Sequence, residues 1–312
     1  MKSNVLGRTD LHVSQIGLGT AEIGFPYGLN AKDFPTNDTV AENFLREAAE
    51  LGITYFDTAR YYQEAEKRIA ESGITKITGI VVGTKCANFL EKGEDPRGIE
   101  LEKRIREEVE ASLKALGVEI LQLLYFHGPS KEQIERGELI EIMRKLKEEG
   151  KVQWSGISTR GEESPLAAIR SGFFDVIQVA YSVPDQRMTN ILEEAKEKNI
   201  GVVNRSVFLK GALTPAGERL PDELAPLKEN SRQAAKIANR LGITLPELAL
   251  RFSISNPAVS VALIGTSKIG HLQTAIKSAE TGPLPENIIN ELKTLAISDP
   301  DQVDPARWPP LD

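Results

Sequence analysis

Short apolar runs recur along this chain, and longer segments with the apolar spacing of helices separate them. The runs are rich in Val, Ile and Leu and are apolar on both faces, which is typical of strands buried in a parallel sheet. We predict eight such strands: Gln15–Thr20, Thr54–Ala59, Gly79–Lys85, Ile120–Gly128, Val152–Ser158, Val176–Ser182, Gly201–Val207 and Val261–Ser267. This alternation constrains the fold more than any other feature, because consecutive parallel strands need a long crossover between them.

The intervals between the runs can supply those crossovers. Helices are predicted over Thr36–Leu51, Ile99–Leu116, Lys131–Glu149, Met188–Lys198 and Ser231–Leu241. Eight strand and helix units are the number that closes a barrel, so the predicted fold class is α/β, a (β/α)8 TIM barrel. A doubly wound open sheet is the second alternative.

Some segments are expected to lie outside the repeat. VLGRTDLHV can form an N-terminal hairpin around Arg8–Asp10, and Pro283–Leu295 precedes a proline-rich tail. The longest interval, from Val207 to Val261, holds a proline-punctuated insertion, and extra helices are predicted there, after strand 7. No linker divides the sequence, so we expect one domain over residues 1–312.

Composition narrows the classes of partner. The formal net charge of −7 argues against a general attraction to nucleic acid. The single cysteine, Cys86, cannot close an intramolecular disulfide, and with three histidines it leaves little for a zinc site, so no metal is expected. No signal-like segment and no apolar stretch of about 20 residues occurs, which predicts a cytoplasmic protein without a membrane partner.

Polar side chains end several of the predicted strands. In a parallel barrel the carboxyl ends of all strands share one mouth, so residues far apart in sequence can meet there. Asp57 and Lys85 end neighbouring strands, and a buried charge is costly unless it is paired. We therefore expect a buried ion pair, which by burial logic alone is either structural or catalytic.

Four residues with reactive side chains follow one another in a recognisable order: Asp57 and Tyr62 in DTARYY, Lys85 in VVGTK and His127 in LLYFHGP. This set resembles the catalytic residues of the aldo-keto reductase family. The resemblance covers nearly the whole chain, from LGRTDLHVSQIGLGT through KVQWSGIST and FDVIQVAYS to VALIGTS. It implies an NAD(P)(H)-dependent oxidoreductase that moves a hydride reversibly between nicotinamide and a carbonyl or alcohol, such as an aldehyde, a ketone or a sugar.

The resemblance implies a role for each of the four residues. Tyr62 would protonate the carbonyl oxygen as a general acid and act as the base in the reverse direction. A free tyrosine has a pKa of about 10, so Lys85 would be needed to stabilise the phenolate. Asp57 would fix the side chain of Lys85, and His127 would orient the substrate carbonyl by a hydrogen bond.

The cofactor site is implied by the same resemblance. The dinucleotide fingerprint of an open sheet is incomplete, because Glu22 stands at its third glycine position. Ser158, Thr159 and Gln178 resemble the residues that hold the nicotinamide carboxamide, and Arg205 replaces a stacking aromatic ring. The other implied contacts are Ser206, Phe208, Leu209, Lys210 and Gly211 beside the pyrophosphate, and Gly265, Thr266, Ser267, Lys268 and His271 at the adenosine 2′-phosphate.

Two features of this cofactor segment bear on the choice of nucleotide. His271 stands where an arginine is usual in the family, and Lys268 remains as a cation for a phosphate. NADPH/NADP+ is therefore preferred as the cofactor, with NADH as the alternative.

The rim of the mouth is less well defined by the sequence. The aromatic candidates for the substrate pocket are Phe25, Tyr27, Phe89, Trp154 and Trp308. The tail around Trp308 is too rich in proline for a helix, and we expect it to fold across the opening. Beside Tyr62, Gln63 replaces a glycine that is customary in the family.

Two other functions remain open at this stage. A non-catalytic barrel that binds a nicotinamide cofactor for regulation would share the fold, although the intact set of four residues argues against it. A barrel hydrolase would use Asp57 and a second carboxylate, but no paired acids end neighbouring strands convincingly.

Overall fold

Eight parallel strands close into a barrel, and a two-stranded antiparallel hairpin precedes it. The computed structural model describes residues 1–26, 34–35 and 37–310. The hairpin consists of β1 (Ser3–Val5) and β2 (His12–Ser14). The barrel strands are β3 (Ile16–Gly19), β4 (Tyr55–Asp57), β5 (Val81–Cys86), β6 (Leu121–His127), β7 (Val152–Ser158), β8 (Val176–Ala180), β9 (Gly201–Arg205) and β10 (Val261–Gly265). Pairing of β10 with both β3 and β9 closes the barrel.

Helices follow the strands and cover the outside of the barrel. They are α1 (Ala21–Gly24), α2 (Asp38–Glu50), α3 (Ala65–Ser72), α4 (Asn88–Glu91), α5 (Gly98–Leu116), α6 (Lys131–Glu135), α7 (Glu138–Glu148), α8 (Glu163–Arg170), α9 (Thr189–Glu197), α10 (Ala225–Arg240), α11 (Leu245–Ser255), α12 (Ile269–Glu280), α13 (Glu286–Lys293) and α14 (Pro300–Val303). No helix within the described ranges is both long enough and apolar enough to cross a membrane.

The predicted barrel, hairpin and extra helices are confirmed. Each of the eight apolar runs corresponds to one barrel strand, although β5 extends one residue beyond its predicted run, to Cys86, and α10 and α11 fill the long interval after the seventh. The segment predicted as one helix over Lys131–Glu149 is instead α6 and α7, because Gly137 adopts a left-handed conformation with φ of 80° between them. Thr36, the predicted start of the first crossover helix, lies outside the described residues.

Strand register brings the polar strand ends to one edge of the barrel. His127 is the register partner of Ser158, and Ser158 is in turn the partner of Gln178. Asp57 pairs with Gly83, so Lys85 lies two residues further along the neighbouring strand. Side chains on alternate strand positions point to the same side, and the parallel arrangement therefore gathers these residues at the C-terminal mouth.

Two tyrosines fill the barrel below this mouth. The hydroxyls of Tyr55 and Tyr125 are 2.8 Å apart and both side chains are fully buried. A Cβ on Gly83 would overlap the Tyr55 hydroxyl, and a Cβ on Gly156 would overlap the Tyr125 ring. The glycines are therefore needed for close approach, and burial raises the pKa of both phenols well above the ordinary value.

We expect Gly156→Ala to lower the free energy of unfolding by about 1–3 kcal/mol, because the added methyl overpacks the barrel against the Tyr125 ring. The midpoint of urea unfolding at an unchanged m-value measures the loss. Gly270→Ala in α12 is the matched control, since a Cβ there meets no atom within 4 Å. Equal losses in the two variants would contradict this account of the barrel interior.

Candidate active site

A cavity of about 750 Å³ opens at the C-terminal mouth of the barrel. Three of the four residues proposed for catalysis, Asp57, Tyr62 and His127, line its wall. The fourth, Lys85, lies directly behind the wall with only 1% of its surface exposed. The structure therefore brings the four side chains to one place, although the sequence spreads them over about seventy residues.

Asp57 and Lys85 form the expected buried ion pair. Lys85 Nζ donates hydrogen bonds to Asp57 Oδ2 at 2.6 Å and to the carbonyl oxygen of Thr58 at 2.8 Å. Gln178 Nε2 donates to the other Asp57 oxygen, Oδ1, at 2.6 Å, and Ser158 Oγ donates to Gln178 Oε1 at 3.1 Å. Both oxygens of the carboxylate are thus satisfied, which is what a buried charge requires.

The environment of Lys85 makes its ammonium a directed source of positive charge. Burial lowers the pKa of Lys85 from its ordinary value, while Asp57 acts in the opposite direction. Nζ lies 5.0 Å from the centroid of the Tyr62 ring. The ammonium is therefore close enough to favour a negative charge on the phenol oxygen.

Tyr62 is held between two other rings at the cavity wall. Its ring lies 6.1 Å from that of His127, at an interplanar angle of 85°, and 5.9 Å from that of Phe25. The next residue, Gln63, has φ of 44°, in the left-handed region that favours glycine. This conformation gives a physical reason why glycine suits the position that Gln63 occupies.

A fully buried carboxylate, that of Glu66, holds the loop that carries Tyr62. Glu66, in the first turn of α3, forms an ion pair with Arg60 and accepts a hydrogen bond from Thr84 Oγ1 at 2.7 Å. The backbone N–H of Arg60 donates to the carbonyl oxygen of Lys85 at 2.9 Å. This role of Glu66 was not assigned from the sequence. A signal was present, because Glu66 lies three residues before the apolar Ile69 and so on the same face of α3, which indicates a buried acid.

His127 packs edge-on against the Tyr62 ring. Burial, with a further contribution from Lys85, lowers the pKa of His127 to about 3. Its Nε2 is 3.6 Å from Glu91 Oε2, and its buried Nδ1 has no hydrogen-bond partner among the described residues. At neutral pH the imidazole is therefore uncharged and can donate only one hydrogen bond.

Most of the residues proposed to hold the cofactor also line the cavity. They are Ser158, Thr159, Gln178, Arg205, Ser206, Phe208, Lys210, Gly211, Gly265, Thr266 and His271. Three others do not form the wall. Leu209 is fully buried in an apolar cluster with Trp308, whereas Ser267 and the exposed Lys268 lie on the segment that leads into α12.

The loop after β9 has an unusual backbone. Ser206, Leu209 and Lys210 all have positive φ, at 62°, 44° and 52°, which is costly for residues with a side chain. The backbone N–H groups of Leu209, Gly211 and Ala212 donate to carbonyl oxygens inside the loop itself. The loop is therefore a closed turn that places the side chains of Ser206 and Lys210 at the cavity wall, and the lysine supplies a cation that suits a phosphate.

The strand ends beside this loop fit an amide group. The side-chain oxygen of Thr159, Oγ1, is buried and has no hydrogen-bond partner among the described residues. Arg205 spans the mouth by donating from Nη2 to the carbonyl oxygen of Thr159 at 2.8 Å. Unsatisfied polar groups are rare in protein interiors, so this wall is suited to a ligand that carries its own donors and acceptors.

The aromatic candidates for the substrate pocket divide into several groups. Phe25 lines the cavity, and Tyr27 lies outside the described residues. Phe89 is buried under the Arg104 guanidinium, 3.8 Å from the ring centroid, and not in the cavity wall. The prediction is wrong for Trp154, because this residue lies near the start of β7, where its Nε1 donates to Asp10 in the N-terminal turn at 2.9 Å.

The C-terminal tail reaches the cavity, as the sequence predicted, but Trp308 is not the part that lines it. The expectation that the tail DPDQVDPARWPPLD forms no helix is wrong, because Asp299 caps the short helix α14 and a proline is tolerated in its first turn. Pro305 and Ala306 form part of the wall. Trp308 is buried, and its Nε1 donates to the carbonyl oxygen of Gln302 at 3.0 Å. The tryptophan therefore anchors the tail, and the residues before it border the opening.

Comparison with known proteins gives a consistent result. The family model described as Aldo/keto reductase family matches residues 15–297. The chain is 29% identical to L-galactose dehydrogenase of Arabidopsis thaliana, over 97% of this chain and 96% of that protein. It is 27% identical to the NADH-specific methylglyoxal reductase of Escherichia coli, over 86% of this chain and 90% of that protein.

A solved structure agrees with these sequence matches. The aldo-keto reductase AKR11C1 from Bacillus halodurans, in its holo form, superposes with a TM-score of 0.80 at 25% identity. The match covers 99% of this chain and 100% of that structure. A structural match over this share of both chains includes the barrel, the hairpin and the segments that form the mouth.

The neutral state of His127 predicts a pH dependence of stability. Its folded pKa of about 3 lies below the ordinary value of 6.5, so its contribution is complete above pH 6.5 and is lost as the pH falls towards 3. Between pH 7 and pH 5 we expect the free energy of unfolding of His127→Gln to fall by about 2 kcal/mol less than that of the wild type. Urea unfolding at the two pH values measures this difference.

The matched control is His12→Gln, which removes an exposed imidazole from β2. If His127→Gln lost as much stability between pH 7 and pH 5 as the wild type, the imidazole would not be held neutral by burial.

Proposed function

Because the chain belongs to the aldo/keto reductase family, we propose that Tyr62 transfers the proton in a reversible exchange of hydride between a nicotinamide cofactor and a small carbonyl or alcohol. The observation that carries this proposal is the position of the Lys85 ammonium, 5.0 Å from the Tyr62 ring and held by Asp57. An ammonium at that distance stabilises the phenolate more than the phenol.

In this proposal the bound nicotinamide supplies the hydride in reduction and accepts it in oxidation. Tyr62 donates its hydroxyl proton to the carbonyl oxygen and takes the proton back in the reverse direction. Lys85 lowers the cost of the phenolate that remains on Tyr62. Asp57 holds the ammonium in place, and Gln178 holds Asp57 through its second oxygen.

His127 would act as a neutral donor. Since burial lowers its pKa to about 3, the imidazole does not compete with Tyr62 as a cationic acid at neutral pH. A single N–H that points into the cavity would orient the carbonyl oxygen towards the phenol.

The two alternative functions receive less support from the site. A hydrolase needs a free pair of carboxylates, whereas Asp57 is bound by Lys85, and Glu91, the acid beside His127, is bound by Arg160. A purely regulatory barrel would have no need of the Lys85 ammonium beside the Tyr62 ring. The matched relatives named above are enzymes that oxidise a sugar or reduce a small dicarbonyl, and both classes belong in a substrate search.

For the cofactor we propose NADPH/NADP+, with NADH as the alternative. Lys268 is exposed immediately before α12, where a phosphate would also meet the helix N-terminus. His271, in the first turn of that helix, lines the cavity and contacts Thr266 Oγ1 through Nδ1 at 3.2 Å. One matched relative is named as NADH-specific, so the nucleotides must be compared directly.

We expect Tyr62→Phe to lower kcat/KM for carbonyl reduction by about 10²–10⁴-fold, because the phenol proton is lost while the ring is kept. Initial rates with NADPH and NADH over a panel of aldehydes, ketones and sugars, L-galactose and methylglyoxal included, measure the effect. Tyr61→Phe is the matched control and should stay within about tenfold of the wild type. Unimpaired turnover by Tyr62→Phe would remove Tyr62 from the reaction.

We expect Lys268→Ala to raise the KM for NADPH by about 10- to 100-fold and to leave the KM for NADH nearly unchanged, because a charged hydrogen bond to the 2′-phosphate is lost. Lys277→Ala, on the exposed face of the same helix, is the control. If Lys268→Ala raised the KM for NADPH and the KM for NADH equally, Lys268 would not belong to the 2′-phosphate site.

A further inference from the structure

A carboxylate faces the catalytic histidine from the loop region after β5. Glu91, the last residue of α4, lines the cavity beside His127. Its Oε2 lies 3.6 Å from His127 Nε2. This separation is too long for a good hydrogen bond, but it is short enough for a strong electrostatic effect in a buried site.

Other groups hold the Glu91 carboxylate at this distance. Asn88 Nδ2 donates to the same Oε2 at 2.8 Å, and the Arg160 guanidinium forms an ion pair with Oε1. Gly128 packs against the side-chain stem of Glu91, and a Cβ at that glycine would overlap it. The carboxylate is therefore fixed from three sides and cannot move closer to the imidazole without breaking these contacts.

The tail completes the arrangement. Arg160 Nη1 also donates to Asp304 Oδ1 at 2.9 Å, so the guanidinium is held between two acids. Burial opposes ionisation of Glu91, but the charge of the Arg160 guanidinium and its hydrogen bond act against burial, and the pKa of this carboxyl is lowered. Glu91 is thus a fixed negative charge that faces one nitrogen of the His127 ring.

A neutral imidazole has two tautomers, and their surroundings differ here. Nδ1 is buried and has no hydrogen-bond partner among the described residues, so nothing described there favours a proton on that atom. Nε2 faces the Glu91 carboxylate, which attracts a proton on Nε2 and repels a lone pair there.

We propose that Glu91 is a positioning residue that fixes His127 as the Nε2–H tautomer. The fixed distance leaves this N–H unconsumed, so it stays available to an acceptor in the cavity. The use of that donor by a substrate carbonyl rests on the proposed function, whereas the tautomer itself does not.

Glu91→Gln should reverse the preference. The Arg160 guanidinium has only donors and will keep the amide oxygen, so the amide NH2 will face the imidazole in place of Oε2. The Asn88 amide must then turn, and its Oδ1, which is buried without a hydrogen-bond partner among the described residues, can accept from that NH2. A donor at that place favours a lone pair on Nε2 and moves the proton to Nδ1. Glu91→Asp keeps the charge and should keep the wild-type tautomer.

The tautomer can be read by ¹⁵N NMR of the histidine rings. The chain has only three histidines, so His12→Asn and His271→Asn variants assign the His127 signals. We expect the wild type, with and without NADP+, to show a protonated Nε2 and an unprotonated Nδ1. Glu91→Gln should show the opposite pattern, and Glu94→Gln, which removes an exposed carboxylate paired with Arg104, should match the wild type.

A wild-type spectrum with the proton on Nδ1, or with both nitrogens protonated at neutral pH, would overturn the proposal. The same holds if Glu91→Gln folds and keeps a protonated Nε2. If that variant does not fold, Glu91→Ala replaces it: removal of the carboxylate should abolish the preference for a proton on Nε2, and an unchanged protonated Nε2 in Glu91→Ala would overturn the proposal.

Kinetics give a second measurement. We expect Glu91→Gln to lower kcat/KM for carbonyl reduction by about 10- to 100-fold, with the KM for NADPH unchanged and with substantial recovery in Glu91→Asp. Wild-type rates in Glu91→Gln, despite a changed tautomer, would show that His127 is not the donor and would count against the proposed function only. If Glu91→Gln keeps the wild-type tautomer while the wild type turns over normally, the positioning role of Glu91 is refuted and the proposed function is not.

Discussion

Two opposite charges lie side by side inside the barrel, and the rest of the site is arranged around them. Burying Asp57 and Lys85 would cost several kcal/mol for each ion if their hydrogen bonds were not satisfied. The partners come from the backbone of Thr58 and from Gln178, and they join β4, β5 and β8 at the mouth. At the C-terminal edge the pair has polar partners on one side and packed strands on the other. The mouth of the barrel therefore meets the requirements of this pair.

The fold and the Asp57–Lys85 pair could be predicted because both follow from two free-energy costs, that of exposing apolar side chains to water and that of burying an unpaired charge. Apolar runs of strand length indicate buried strands, and charged residues at the ends of such runs must find partners, which Asp57 and Lys85 do. The role of Gln178 was harder to assign, since its contact with Asp57 depends on closure of the barrel across 121 residues. Trp154 was misassigned to the mouth although it lies within the predicted strand Val152–Ser158, because the third position of that strand is at the end away from the mouth.

Backbone strain could not be predicted in the same way. Gln63, Ser206, Leu209 and Lys210 adopt left-handed conformations that sequence rules reserve for glycine, asparagine and aspartate. Each costs on the order of 1–3 kcal/mol and persists only where the surroundings enforce it. Gln63 follows Tyr62, and the other three belong to the loop beside the cavity. The packed barrel supplies the rigidity that keeps these loops in place, so the stability of the scaffold and the geometry of the site are linked.

The same reasoning explains why Glu91 escaped notice. An acid at the end of a four-residue helix has the sequence signature of an ordinary solvated rim residue. Its importance arises from three segments that meet only in the folded chain: the start of α4 through Asn88, the end of β7 through Arg160, and the tail through Asp304. Arg160 bridges Glu91 and Asp304, so the tail contacts the same guanidinium that holds the carboxylate beside His127. The tail is therefore tied to the wall of the site through a salt bridge as well as bordering the opening.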